Sequence, residues 1–94
     1  MSNEGYHEDL GVLSGQTKDL HRAIVSLMEE LEAADWYQQR IDATEDKSLA
    51  AILAHNRDEE LEHAAMLIEW LRRKNKHFNK QLKRFLFTEE SIAD

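Results

Sequence analysis

The 94-residue chain has no cysteine and no proline, and its three glycines all lie within the first fifteen residues. Without cysteine there can be no disulfide, no cysteine-ligated zinc or iron–sulfur site and no thiol nucleophile, so any metal must use histidine and carboxylate ligands. The scarcity of proline and glycine, beside 33% charged residues, favours helices over strands and turns. We expect a single small all-α domain, and partner chains could supply part of its core.

Positive charge is also scarce. Twelve Lys and Arg face 19 Asp and Glu, which gives a formal net charge of −7. Strong binding to nucleic acid or to an anionic membrane needs a cationic surface, so we expect neither partner. The apolar runs are short and the N-terminus lacks a basic start and an apolar core, so we expect no membrane span, no signal peptide and a cytoplasmic location.

Two segments repeat apolar or small residues in alternating steps of three and four, which predicts two long amphipathic helices. The first is expected over residues 12–41 and the second over 45–74, with Thr44 as the N-cap of the second. Because the linker between them is short, the two helices should lie antiparallel as a hairpin.

The ends of the chain are expected to be less regular. Residues 1–11 carry two of the glycines and predict a mobile arm, and the acidic tail 88–94 is expected to fray. Residues 77–86 predict a short basic amphipathic helix. Its apolar face could fold back on its own hairpin or reach a neighbouring copy, and we favour the neighbour because a two-helix hairpin offers little groove to cover.

Two ionisable residues interrupt the apolar stripe of the second helix. Glu60 and His63 lie three positions apart and so share one helical face. An ionised carboxylate in an apolar seam is destabilising without a partner. On the first helix, Glu30 flanks the seam and can lean into the same interior. The three residues could form only a hydrogen-bonded group at a wet edge, or they could bind a metal.

The composition of this group favours metal binding. A di-iron carboxylate site in a four-helix bundle takes a glutamate from each of two helices and a Glu-x-x-His pair from each of the other two. One hairpin supplies half of those ligands, so a two-fold dimer would complete the bundle and the site together. Oxygen and nitrogen ligands without sulfur suit Fe(II), Mn(II) or Zn(II), and iron fits a redox role best.

The segments that carry these residues resemble a known family. MEELEAADWYQQR (28–40), ILAHNRDEELEHAAM (52–66) and EWLRR (69–73), with FLFTE (85–89), are similar in identity and spacing to the encapsulated ferritins. The resemblance covers nearly the whole chain. It implies a ferroxidase that oxidises Fe(II) to Fe(III) inside an encapsulin shell, which stores the mineral. It also implies a ring-shaped decamer of five dimers, with two iron ions at each dimer interface.

The resemblance also implies roles for individual residues around this centre. Glu30, Glu60 and His63 match the family's ferroxidase ligands. Tyr37 matches a tyrosine close to the centre, and Trp36 lies beside it in the sequence. The aromatic pair could equally be ordinary interface packing.

Two further groups match peripheral metal sites of the family. Glu29 and Glu32 match the site through which metal ions are taken up. His55, Glu59 and Glu62 match an outer site that other divalent cations could occupy. Acidic residues at these spacings are also common on solvated helix surfaces, and that simpler interpretation stays open for both groups.

One departure from the family pattern concerns the C-terminus. Family members usually carry an extension ending in a short peptide that docks to the shell, and this sequence ends at Asp94 without it. The encapsulin partner is therefore implied by the family alone. Two other functions stay open: a structural helical hairpin or adaptor without catalysis, and a rubrerythrin-like di-metal peroxidase.

Overall fold

The computed structural model describes residues 5–93, which form three α-helices and one short 3₁₀ helix and contain no strand. α1 spans Gly15–Ala43, α2 spans Lys47–Lys74 and α3 spans Lys76–Phe85, while the 3₁₀ helix covers Leu10–Val12. The predicted all-α class is confirmed. Parts of the predicted arm and tail, residues 1–4 and 94, lie outside the described residues.

α1 and α2 form a hairpin joined by three linker residues. Contacts between the two helices run in antiparallel order: Gln16 reaches Lys74 near one end, and Gln38 reaches Arg57 near the other. The observed bounds of the helices differ from the predicted ones by at most three residues, which is the usual uncertainty at helix ends.

The predicted N-cap of α2 is wrong. Asp46, not Thr44, caps α2, with its Oδ1 accepting a hydrogen bond from the Leu49 N–H at 3.0 Å. Thr44 instead ends α1, and its N–H donates to the Arg40 carbonyl at 3.1 Å. α1 continues to Ala43, so the residues that reverse the chain come later than expected. Aspartate also caps a helix as well as threonine does.

Part of the N-terminal arm lies against α1. The rings of Tyr6 and His21 are 4.0 Å apart between centroids and tilted by 37°. Gly5 has a φ of +86°, and a Cβ there would approach the His21 ring to 3.3 Å, so glycine is well suited to this position. The arm is therefore placed on the hairpin from residue 5 onward, and its mobility stays a prediction.

The hairpin has very little core of its own. Within the described range the only buried apolar residues are Ala23, Ala34, Ala64 and Leu71. Large side chains remain exposed, among them Met28 at 62% and Met66 at 63%. Two helices cannot surround a core, so these apolar faces are unpartnered in a single chain. No helix within residues 5–93 is long and apolar enough to cross a bilayer.

α3 folds back along its own α2, which is one of the two predicted alternatives, and a contact of its apolar face with a neighbouring copy stays a prediction. Phe78 lines one cleft with Ile24 and Leu27 of α1, and the chain turns between α2 and α3 at Asn75 alone. The Asn75 side chain caps α3 by accepting hydrogen bonds from the backbone N–H groups of His77 and Phe78, at 3.0 and 3.1 Å. Phe87, just beyond α3, is fully exposed.

A charged network fastens α3 to α2. Arg72 donates to both carboxylate oxygens of Glu69 at 2.7 Å and to the Asn79 side-chain oxygen of α3 at 2.8 Å. Arg73 donates to Glu69 as well, at 2.7 Å. The hydrogen bonds from Arg72 and then Arg73 lower the pKa of Glu69 to about 2.

This lowered pKa predicts a pH-dependent stability. A carboxyl group whose pKa falls on folding stabilises the native state above its ordinary pKa and loses that effect as pH falls through the folded value. We expect wild-type stability to decline between about pH 4.5 and pH 2, and Glu69→Gln to flatten that decline. Urea unfolding at fixed protein concentration across this range measures it. Glu45→Gln, in the exposed linker, is the control, and equal slopes in wild type and Glu69→Gln would contradict the prediction.

Candidate metal centre

The hairpin brings Glu30 of α1 together with Glu60 and His63 of α2. One ligand atom from each residue can be chosen so that all three atoms lie within 4.8 Å of one another. No other group of three or more such residues meets this condition in the part of the chain that the structure describes. The predicted ligands therefore form one cluster near the middle of both helices.

Helix geometry accounts for this arrangement. Glu60 and His63 lie three positions apart on α2, so both side chains project from the same face. α1 crosses that face with Glu30 opposite, and Glu30 Oε2 lies 3.4 Å from His63 Nδ1. The separation is long for a hydrogen bond, and it leaves both groups able to turn towards a shared cation.

Glu30 and Glu60 repel each other electrostatically. The pKa of Glu60 is raised, first by a hydrogen bond with Glu30, then by burial and by the charge of Glu30, while His63 acts in the opposite direction. The carboxyl group of Glu60 therefore ionises less readily beside Glu30 than it would alone. A divalent cation between them would remove this repulsion, and two carboxylates with an imidazole are a donor set that suits first-row metals.

The cluster is open on one side. The Glu30 side chain is 24% exposed, whereas that of His63 is 49% exposed. Beside His63 lies a largely apolar cleft of about 610 Å³, lined by Ala23, Met66, Leu67 and Trp70 among others. The open side of the ligand cluster is therefore continuous with apolar surface that the chain itself does not cover.

A protein-family model described as EncFtn-like matches residues 5–89. The chain belongs to this EncFtn-like family. The family predicted from the sequence motifs is confirmed, and the segment that matches includes all three residues of the cluster.

Individual relatives agree with this assignment. An encapsulated ferritin-like protein of Rhodospirillum rubrum is 59% identical over 93 residues, which cover 99% of this chain and 66% of that protein. An encapsulin nanocompartment cargo protein of Myxococcus xanthus is 43% identical over 56 residues, which cover 58% of this chain and 43% of that protein. The chain thus spans less than two thirds of the length of these two relatives.

A solved structure shares the fold. The crystal structure of protein ne0167 from Nitrosomonas europaea is 61% identical to this chain, with a TM-score of 0.89. The match covers 96% of this chain and 99% of that chain. The helical hairpin with a short third helix is therefore the architecture of a close relative as well.

The two aromatic candidates lie further along α1. The Arg40 guanidinium covers the ring of the half-buried Tyr37 at 5.5 Å from its centroid. Trp36 is 48% exposed and lines a shallow cleft with Gln39 and Arg40. The two rings do not stack on each other within residues 5–93, because neighbouring helical residues point about 100° apart. Their proximity to a metal centre stays a prediction.

The peripheral candidates are solvent-facing. Glu29 and Glu32 are exposed on α1 and lie outside the ligand cluster. On α2, His55 Nε2 lies 3.4 Å from Glu59 Oε1, and Glu62 does not join them in a three-ligand group among the described residues. Metal uptake at the first pair and binding at the outer group stay predictions.

Sequence reasoning missed a polar contact close to the cluster. Arg57 lies one turn before Glu60 on α2, and its Nη1 donates to Gln38 Oε1 of α1 at 2.8 Å. The signal in the sequence was Gln38 itself. It is a polar residue in the seam of α1, whose other positions carry apolar or small residues. Gln38 is exposed in the hairpin, and its side chain still reaches a partner across the seam.

The raised pKa of Glu60 predicts a stabilising substitution. A carboxyl group whose pKa rises on folding stabilises the protein below its ordinary pKa and loses that effect as pH rises through the folded value. In Glu60→Gln the new amide would stay neutral and could still donate to Glu30. We expect metal-free Glu60→Gln to melt above wild type at pH 7, with the difference shrinking towards pH 4.

Thermal melting at matched concentration, with and without Mn(II), measures both parts of this prediction. Mn(II) should stabilise the wild type more than Glu60→Gln, because the substitution removes a charged ligand. Glu45→Gln provides the control for removing a negative charge elsewhere. A metal-free Glu60→Gln protein that melts below wild type at pH 7 would refute the idea that the two carboxylates repel.

Proposed function

We propose that this protein is a ferroxidase, with a di-iron centre formed where Glu30, Glu60 and His63 of two chains meet. The observation that supports this most directly is the clustering of two carboxylates and an imidazole from two helices at one open face. Each chain supplies half of the ligands of a carboxylate-bridged pair, and a two-fold axis through the open side would supply the other half.

The exposed apolar surface supports pairing of chains. Met66, Leu67 and Trp70 line the cleft beside His63, and a second hairpin packed there would cover them while completing a four-helix bundle. Membership of the EncFtn-like family supports a larger assembly, for which we propose a ring-shaped decamer of five such dimers. Dimerisation would thus create the core and the metal centre in one step.

In the proposed reaction Fe(II) is the substrate, and each ion gives up one electron to an oxidant such as dioxygen. Glu30 and Glu60 bind the cation through hard, anionic oxygens that favour the more highly charged product. Cation binding favours the ionised form of Glu60, whose pKa the neighbouring Glu30 raises. His63 is a neutral ligand that orients the site, while Glu29 and Glu32 attract hydrated cations from solvent.

The proposed setting is the interior of an encapsulin shell. The names of the Rhodospirillum and Myxococcus relatives describe an encapsulated protein and an encapsulin cargo protein. We propose by analogy that this chain delivers oxidised iron to a mineral stored within such a compartment. A hairpin this small cannot enclose a mineral by itself, so the shell would provide the storage volume.

Oxygen consumption tests the ferroxidase proposal. Adding Fe(II) to metal-free wild type should produce rapid oxygen uptake, and Glu60→Ala or His63→Ala should lower the rate by at least about tenfold, because a lost ligand disrupts the shared centre. Glu45→Gln should retain the wild-type rate. Equal, slow uptake by wild type and both ligand variants would instead favour a structural hairpin or adaptor, and faster turnover with peroxide than with dioxygen would favour a rubrerythrin-like peroxidase.

Metal binding should also promote assembly. A ligand that binds only the dimer stabilises the dimer by mass action, so Fe(II) should shift metal-free chains from monomers towards dimers and larger rings. Native mass spectrometry under anaerobic conditions, over a range of protein concentrations, measures this shift. Glu60→Ala should respond little to Fe(II). The same oligomer distribution with and without Fe(II) in the wild type would contradict an interfacial site.

A further inference from the structure

Polar contacts between α1 and α2 are few, and they are spread along the hairpin. Apart from the hydrogen bond between Glu30 and Glu60, three side-chain hydrogen bonds or ion pairs join the two helices within residues 5–93. Gln16 Nε2 donates to the Lys74 carbonyl at 3.2 Å, Glu30 contacts His63 at 3.4 Å, and Arg57 donates to Gln38 at 2.8 Å. The contact between Arg57 and Gln38 is the shortest of these.

The apolar seam between the two helices gives only weak control over how far one helix slides along the other. Its buried members in the hairpin are mostly alanines, namely Ala23, Ala34 and Ala64, while larger side chains such as Leu31 and Ile24 are about half exposed. Small side chains form shallow ridges that interlock little. A slip of one helical turn moves a helix by about 5.4 Å, which is more than the 4.8 Å that encloses the ligand atoms.

The contacts within the cluster hold this register only weakly when no metal is bound. The contact of His63 with Glu30 is longer than a good hydrogen bond, and the contact between the Glu30 and Glu60 carboxyl groups is partly exposed to solvent. The alignment of Glu30 with Glu60 and His63 therefore needs contacts outside the cluster as well.

Arg57 is well placed to provide that alignment. It lies three residues before Glu60, so it is on the same face of α2 and one turn away. Its side chain is 28% exposed. Its Nε and Nη2 both donate to Asp58 Oδ1, at 3.1 and 2.9 Å, which orients the guanidinium and directs Nη1 to Gln38.

Gln38 is held from its other end as well. Its Nε2 donates to Asp42 Oδ1 at 3.2 Å, one turn further along α1, so the amide oxygen faces Arg57. The four side chains form one continuous chain of hydrogen bonds from Asp58 to Asp42 across the hairpin. Gln38 is exposed, yet a planar guanidinium and a planar amide that are each held by a second hydrogen bond favour one alignment of the two helices.

We propose that the hydrogen bond between Arg57 and Gln38 sets the axial register of α1 against α2 and so positions Glu30 opposite Glu60 and His63. Arg57 and Gln38 are positioning residues and do not bind the metal. The inference rests on the proposed metal centre, which is why its test must separate the two.

Co(II) titration followed by visible absorption and calorimetry tests the inference, because Co(II) reports both affinity and ligand geometry. Arg57→Gln should weaken Co(II) binding by about three- to tenfold, the effect of one lost hydrogen bond, and change the Co(II) spectrum. Gln38→Ala removes the same contact from the other helix with a good helix-forming residue and should have the same effect. Circular dichroism confirms that each variant is helical.

Two further variants distinguish positioning from general stabilisation. Gln16→Ala removes the hydrogen bond between the helices at the far end of the hairpin, and it should leave the Co(II) affinity within about twofold of wild type even if it lowers the melting temperature. The double variant that combines Gln38→Arg with Arg57→Gln exchanges the two side chains between the helices. It reverses donor and acceptor and should restore the affinity and the spectrum.

The outcomes are separable. Wild-type Co(II) binding and a wild-type spectrum in Arg57→Gln and Gln38→Ala would overturn the positioning role while leaving the metal centre intact. The positioning role would also be overturned if Arg57→Gln and Gln38→Ala lost only as much Co(II) affinity as Gln16→Ala. If the wild type binds no Co(II), or if Glu60→Ala binds it as tightly as wild type, then the proposed centre has failed and the positioning role fails with it.

Discussion

Two helices cannot enclose a hydrophobic core, and this geometric limit governs the rest of the molecule. Among the residues that the structure describes, burial is restricted to a few alanines and Leu71, whereas methionines, leucines and a tryptophan remain exposed on the surface of the hairpin. The remaining apolar surface of such a hairpin is therefore available for contact with another chain. The same limit leaves the ligand cluster at an open face, because no further helix within residues 5–93 covers it.

The acidic pair at the centre of the hairpin opposes folding in the metal-free chain. Glu30 and Glu60 face each other across the seam, and their interaction raises the pKa of Glu60. Functional sites often contain such unfavourable arrangements, which the surrounding structure must tolerate. The destabilisation by this pair is small because both carboxyl groups lie near solvent. The two helices also continue for several turns in each direction from the pair, which limits its effect on the hairpin.

Charge pairing elsewhere in the chain is arranged differently. Arg72 and Arg73 enclose Glu69, which lowers the pKa of that carboxyl group to about 2 and connects α2 to α3 through Asn79. The contrast between Glu60 and Glu69 follows from their neighbours: one carboxylate meets another carboxylate, and the other meets two guanidinium groups. The second arrangement stabilises the fold, whereas the first leaves two carboxyl groups facing each other without a cationic partner other than His63.

The sequence by itself determined the helical class and the hairpin, and it indicated that Glu30, Glu60 and His63 form one cluster. Helical periodicity and the chemistry of the side chains are local properties, so the sequence contains them directly. It also contained the motifs that identify the EncFtn-like family. The tertiary structure decided what depends on the path of the backbone: Asp46 rather than Thr44 caps α2, α3 folds back on its own chain, and Arg57 reaches Gln38. Helical periodicity cannot predict which residues these contacts join. Several alignments of α1 against α2 satisfy the same apolar pattern, and only the packed hairpin shows which alignment is adopted.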